Sequence, residues 1–195
     1  MEDFYFGNGH LRRKLSKESK LTKLAVGVYT SIKEQEKLEK ALNLNWALIA
    51  RHLFPNAVLS YRTALEFKPS PQGYIFLSSA KEKVTKIGHI SFKEIRVKFV
   101  ESQTDNNGMM GARTACKERA FLELCRSSRI TPRDDRYLDK EKIDKKLEDI
   151  LNFSGEETLN RFRDNARVIS EELSLQEAFI RLNQTISLLL GTRSA

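Results

Sequence analysis

This chain is short of almost every residue type that carries chemistry on its own. It has two cysteines, three histidines and one tryptophan in 195 residues. Cys116 and Cys125 lie nine positions apart in one expected helix, a rise of about 13 Å, too far for a disulfide. They lack CxxC spacing and have no histidine nearby in sequence, so both read as reduced, semi-buried core residues. His10, His52 and His89 fall in separate expected elements without ligand spacing, so no metal and no cofactor is expected. No apolar run approaches the roughly 18 residues that cross a bilayer. The opening MEDFYFGNGHLRRKL has no uninterrupted apolar segment of the signal-peptide kind. A cytoplasmic protein with no membrane partner is the expectation. Internal repeats and low-complexity tracts are missing as well.

Acidic residues are scarce in the first half. Residues 1 to 100 hold 18 Lys and Arg against 9 Asp and Glu; residues 101 to 195 hold 16 against 17. The net charge of +8 therefore belongs to the first half. Two readings fit: a half that faces a polyanion, or a charged surface that keeps the protein in solution. The densest cluster is Arg12, Arg13, Lys14, Lys17, Lys20 and Lys23, opposed by Glu18. Phosphate neutralisation needs such a cluster, and duplex DNA is the partner it would take.

What is present is mostly pattern. Leu11 to Leu15 reads as a basic helix, and Leu21 to Thr30 as a strand with Gly27 at a tight or bulged point. Ile32 to Phe54 carries Leu38, Leu42, Trp46, Ile49 and Leu53 at helical spacing, with Trp46 as a core anchor. Ser60 is placed to cap a helix burying Tyr61, Ala64 and Leu65. Pro69, Pro71 and Gly73 end that helix, and Tyr74 to Leu77 form a hydrophobic strand. Ile87 to Glu101 reads as a hairpin, Ile87 to Phe92 and then Ile95, Val97 and Phe99, with Arg96 and Lys98 on its polar face. Ser102 to Gly111 reads as a loop. Beyond it come helices with Ala120, Phe121, Leu124 and Cys125, then Ile143, Leu147, Ile150 and Leu151. Ser154 and Glu157 form a capping box for a helix with Leu159, Phe162, Ala166, Ile169 and Leu173. The last helix uses Leu175, Phe179, Leu182, Ile186 and Leu189 and stops at Gly191.

The stretch SYRTALEFKPSPQGYIFLSS, Ser60 to Ser79, resembles the "S-x-R-T-A-L-E, hydrophobic strand" core of the bacterial AbiEi-type antitoxin module of type IV toxin–antitoxin systems. The same unit precedes the catalytic domain of some Fic-family proteins. ACKERAFLELC is similar to the helix that follows the sheet in such modules. LNRFRDNARVI and FIRLNQTISLLLGTR resemble the helical segment joining one to a Fic domain. Together these cover most of the chain from Leu21 to Arg193. The basic helix followed by KLAVGVY resembles the last helix and wing of a winged helix-turn-helix, expected to be incomplete because two further helices would have to precede it. The signature helix of the resemblance holds Ser60, Arg62, Thr63, Leu65 and Glu66.

Catalytic constellations are thin. FYFGNGHLRR has Phe4, Gly7, Asn8, Gly9 and Arg13 at the offsets of a Fic loop, but the base position falls on Glu2 and the first Arg position on His10. The segment reads as a turn. Ser60 reads as a cap without an identifiable base, Arg62 as the partner of Glu66 four residues on, and Asp134 and Asp135 as part of a solvated loop.

These readings sum to an α+β protein: a degenerate winged-helix remnant and a small mixed or antiparallel sheet with flanking helices, then an all-helical C-terminal half. The expected organisation is 1–30, a basic helix and wing-like strand; 31–127, an AbiEi-like α+β core; and 128–195, a helical segment, with a soft boundary between Ser127 and Asp139. The resemblance implies a non-catalytic regulatory module that binds DNA, a toxin or a catalytic partner. Its alternative is the N-terminal regulatory portion of a Fic-type AMP transferase whose catalytic domain is not in this sequence.

Overall fold

A computed structural model describes residues 4–7, 21–97, 104–105, 108–126 and 135–191. The fold is α+β, with a small antiparallel sheet, a larger mixed sheet and a helical C-terminal half.

The small sheet is β1 (Phe4–Phe6), β2 (Thr22–Ala25) and β3 (Val28–Thr30), in the order β1-β3-β2 and antiparallel throughout. The expected single strand over Leu21 to Thr30 is in fact a hairpin. Gly27, at φ 79°, makes its turn, a conformation that side chains with a Cβ rarely adopt. Phe4, Phe6, Leu24 and Ala25 pack this sheet against the core around Trp46.

Helix α1 (Gln35–Leu53) forms from strong helix formers, with Lys40 and Glu36 paired at 2.8 Å on its exposed side. Its expected stripe buries Leu42, Trp46 and Ile49, whereas Leu38 and Leu53 are half-buried.

The larger sheet runs β6-β7-β5-β4-β9-β8. Its strands are β4 (Val58–Leu59), β5 (Tyr74–Ser79), β6 (Lys83–Ile87), β7 (Ile90–Arg96), β8 (Thr104–Asp105) and β9 (Thr114–Ala115). The pairs β5–β7 and β4–β9 are parallel and the others antiparallel. The expected hairpin is displaced. Its turn lies at Gly88–His89, where Gly88 has φ 59°, and β7 is one continuous strand through Arg96. The expected loop over Ser102 to Gly111 contains β8 and a short 3-10 turn, Met109–Gly111. Lys98 and Phe99 lie outside the described residues.

Between β4 and β5 sits α2 (Tyr61–Glu66), which ends at Phe67 in a left-handed conformation, φ 49°. The chain then turns through Gly73, φ 78°. A Cβ on Gly73 would stand 2.6 Å from the His89 carbonyl oxygen, so the β5 and β6–β7 turns approach each other only because this residue is glycine.

Helix α3 (Lys117–Leu124) is shorter than expected. Cys116 and Cys125 are not in one helix but flank it at either end, both with free thiols. Burial pushes the Cys116 thiol up to about 11 and the Cys125 thiol up to about 12. Helix α4 (Lys140–Leu173) is interrupted at Gly155, φ 80° and ψ 171°, a combination open essentially to glycine alone. The break falls inside the expected Ser154–Glu157 boundary. Helix α5 is described over Gln176–Gly191. Its Arg181 Nη1 donates to the carbonyls of Cys125 and Arg126, both at 2.9 Å, which ties α5 to the end of α3.

The larger sheet separates two cores. Ile75, Leu77, Ile87, Ile90 and Phe92 meet α1 on one face. On the other, Phe76 and Tyr61 join Phe121, Leu147, Leu159, Phe162 and Leu182 of the helical half.

Candidate functional site

Strand β4 leads directly into the motif. The Ser60 N–H donates to the Phe76 carbonyl at 3.1 Å, so the motif starts attached to the centre of the sheet. Ser60 occupies the N-cap position, but its buried hydroxyl makes no capping bond and has no hydrogen-bond partner among the described residues. The expected serine cap is thus corrected: the first N–H of α2, that of Tyr61, donates instead to Glu123 Oε2 at 3.0 Å.

Tyr61 turns the chain from strand to helix with φ 52°, a left-handed conformation that costs a side-chain-bearing residue about 1–3 kcal/mol. Its surroundings hold it there. The ring is 1% exposed, meets Tyr137 edge-on with centroids 6.1 Å apart, and lies 5.9 Å from the Arg136 guanidinium. Burial, helped by the Glu123 charge, pushes the Tyr61 phenol up to about 12.

The remaining motif residues point inward. Arg62 donates from Nε to Glu66 Oε2 at 2.9 Å and from Nη1 to Asp135 Oδ1 at 3.0 Å. All three side chains are nearly buried. The Arg62–Glu66 pair follows the sequence reading. Asp135 does not: it is an ion-pair partner rather than part of a solvated loop, and its Oδ2 accepts the Gln72 N–H at 3.4 Å. Asp134 lies outside the described residues. Thr63 Oγ1 accepts the Phe76 N–H at 3.0 Å, a bond the β-ladder leaves open. Leu65, expected to be buried, is half-buried, and its carbonyl accepts from Lys146 Nζ at 3.4 Å.

A second polar cluster lies behind the first. Arg119, 1% exposed, donates from Nε to Glu123 Oε1 at 3.0 Å. The same oxygen accepts the Ser78 hydroxyl at 3.4 Å. Glu123 therefore joins α2, α3 and β5 through one carboxylate. Arg119 and Glu123 were legible in KERAFLEL as an i,i+4 pair, but nothing in the spacing marked them as buried or named Tyr61 and Ser78 as their company.

Of the expected phosphate contacts, Lys23 is exposed on β2 opposite Tyr29. Arg12, Arg13, Lys14, Lys17 and Lys20 lie outside the described residues, as do Asn8, Gly9 and His10. The described surface adds basic groups the sequence reading passed over. Lys81, Lys83 and Lys86 are exposed at the edge of the larger sheet, and Lys93 Nζ stands 6.0 Å from the Tyr74 ring centroid. His52 stacks at a tilt on Phe6, and His89 bonds Asn43 at 2.9 Å. Among the described residues no group of three or more His, Cys, Asp or Glu is placed to hold a metal ion. Among them, too, no helix is long and apolar enough to cross a membrane. Compared with protein-family models the chain has no match, and compared with curated proteins it has none either.

Proposed function

We propose that this chain is a regulatory module of the AbiEi-antitoxin type. It engages duplex DNA phosphates through its basic N-terminal half and holds a toxin or catalytic partner through its helices, without chemistry of its own. The observation that carries the reading is the use of the Ser60–Glu66 signature. The Arg62 and Thr63 side chains join α2 to the Asp135 segment and to β5, and the Tyr61 N–H joins it to Glu123 of α3. A signature consumed in holding a fold suits a module whose output is binding. Exposed Lys23, Lys81, Lys83 and Lys86 extend the positive charge of the first half beyond Arg12 to Lys20, which supports the DNA-facing role.

The test is the salt dependence of duplex binding. With roughly three to five phosphates engaged, log K against log salt should fall with a slope of about −3 to −5. Replacing Arg12, Arg13 and Lys14 together by Ala should reduce the slope by about two to three and weaken every sequence similarly. Equal affinity of the triple variant across the salt series would sink the DNA half of the proposal. The helical surface would then be its working part.

A further inference from the structure

At the junction of the larger sheet and the helical half lies a half-open cleft of about 250 Å³. Its walls come from four places: Tyr61 at the start of α2, the end of β7 with Arg96, α3 with Arg119, Glu123 and Arg126 at its end, and the α4–α5 link with Leu173 and Leu175. The geometry is that of a built site. Arg119 is buried and oriented by Glu123. The link is fixed by Ser174 at φ 57°, and by the Leu175 N–H donating to the Ser170 carbonyl at 2.7 Å.

We infer that this cleft binds the phosphate group of a small phosphorylated ligand, bridging the sheet to the helical half. Among the described residues, three guanidinium groups line it against a single carboxylate. That carboxylate is already engaged by the Tyr61 N–H, Arg119 and the Ser78 hydroxyl. Arg96 and Arg126 are exposed at the rim, and neither forms an ion pair among the described residues. Like charges gathered at one opening repel until an anion enters. Guanidinium groups reaching one cleft from β7 and from two ends of α3 suit a tetrahedral oxyanion with oxygens in several directions; a planar carboxylate is satisfied by one fork. The volume lies below the roughly 300–1,000 Å³ of pockets for drug-sized ligands. It fits a phosphate with a small organic part laid on Leu173 and Leu175. The inference is independent of the DNA reading, since it uses none of the residues from Arg12 to Lys23.

The test titrates the full chain with inorganic phosphate, a nucleoside monophosphate and acetate at constant ionic strength, reading heat and melting midpoint. Both phosphates should saturate and raise the midpoint, because a ligand that joins the two halves binds the folded state alone; acetate should do neither. An Arg96→Ala, Arg126→Ala double variant should keep its unliganded midpoint, both side chains being exposed, and bind phosphate about tenfold or more weakly. If that variant fails to fold, Arg126→Gln alone is read in the same way. Unchanged affinity in the folded variant overturns the site. So does acetate binding as tightly as phosphate, or a phosphate titration that shows no saturable heat.

Discussion

The two faces of the larger sheet are built differently. Towards α1, Ile75, Leu77, Ile90 and Phe92 meet Leu42, Trp46 and Ile49 in a core that is apolar at its centre. The buried Ser79–Glu94 bond, at 2.8 Å, stands at its margin beside Leu53 and Lys83. Towards α2 and α3, the opposite face interleaves Phe76 and Tyr61 with the Arg119–Glu123 pair, Ser78 and Thr63. An apolar face tolerates many arrangements of similar volume. A buried ion pair with all its partners in place tolerates few, because each partner lost leaves a charge or dipole in a poorly solvated place. The α1 face supplies burial, and the α2–α3 face sets the angle at which the strand-to-helix turn at Tyr61 is held.

The sharpest way to break this comparison is at Glu123. Replacing Glu123 by Leu leaves Arg119 buried and the Tyr61 N–H without its acceptor. Breaking a buried pair from one side costs about 3–5 kcal/mol, and a denaturant melt should show a loss of that size. The double variant Arg119→Met, Glu123→Leu should recover much of it, since a pair replaced by apolar groups of similar volume is often neutral. A double variant as unstable as the single one would mean that the Tyr61 contact, not the ion pair, is what the face requires.

On the apolar face the matching test is Leu77→Ala, with an expected loss of about 2–5 kcal/mol from transfer and cavity terms. Leu65→Ala should cost less, because Leu65 is half-buried and gives up less apolar contact. Equal losses at the two positions would show that α2 is packed more tightly than its exposure indicates.

The smallest effect is the most specific. The Tyr61 phenol is pushed from 10.0 up to about 12, chiefly by burial. A raised acid pKa favours the neutral form in the folded protein. Its contribution is whole below pH 10 and is lost as pH rises through about 12. Tyr61→Phe should remove that share of the alkaline decline, a difference of order 2 kcal/mol between wild type and variant across pH 10–12. Parallel stability curves over that range would show that the phenol is solvated.

Much of the architecture was legible because period and burial speak through local sequence. The stripe Leu42, Trp46, Ile49, the strand Tyr74 to Leu77 and the break beside Ser154 all follow from side-chain spacing or from a glycine. The turn positions were less legible. Ile87, Ile90 and Phe92 continue one apolar pattern across Gly88, so the alternation did not mark where the hairpin folds back. Cys116 and Cys125 stand at the two ends of an apolar helical pattern, yet α3 spans only the residues between them.

The amino-acid sequence by itself determined the α+β class, the amphipathic faces, the asymmetric charge and the Arg62–Glu66 pair, because each depends on neighbours within a few residues. Tertiary structure decided what long-range polar contacts do. Asp135 meets Arg62 across 73 positions, Glu123 meets Tyr61 across 62, and Arg96 and Arg126 line one cleft. A charged side chain is the same letter whether it faces water or a buried partner. The packing of the sheet against the helices made one the hinge of the fold and left another at the rim of a cleft.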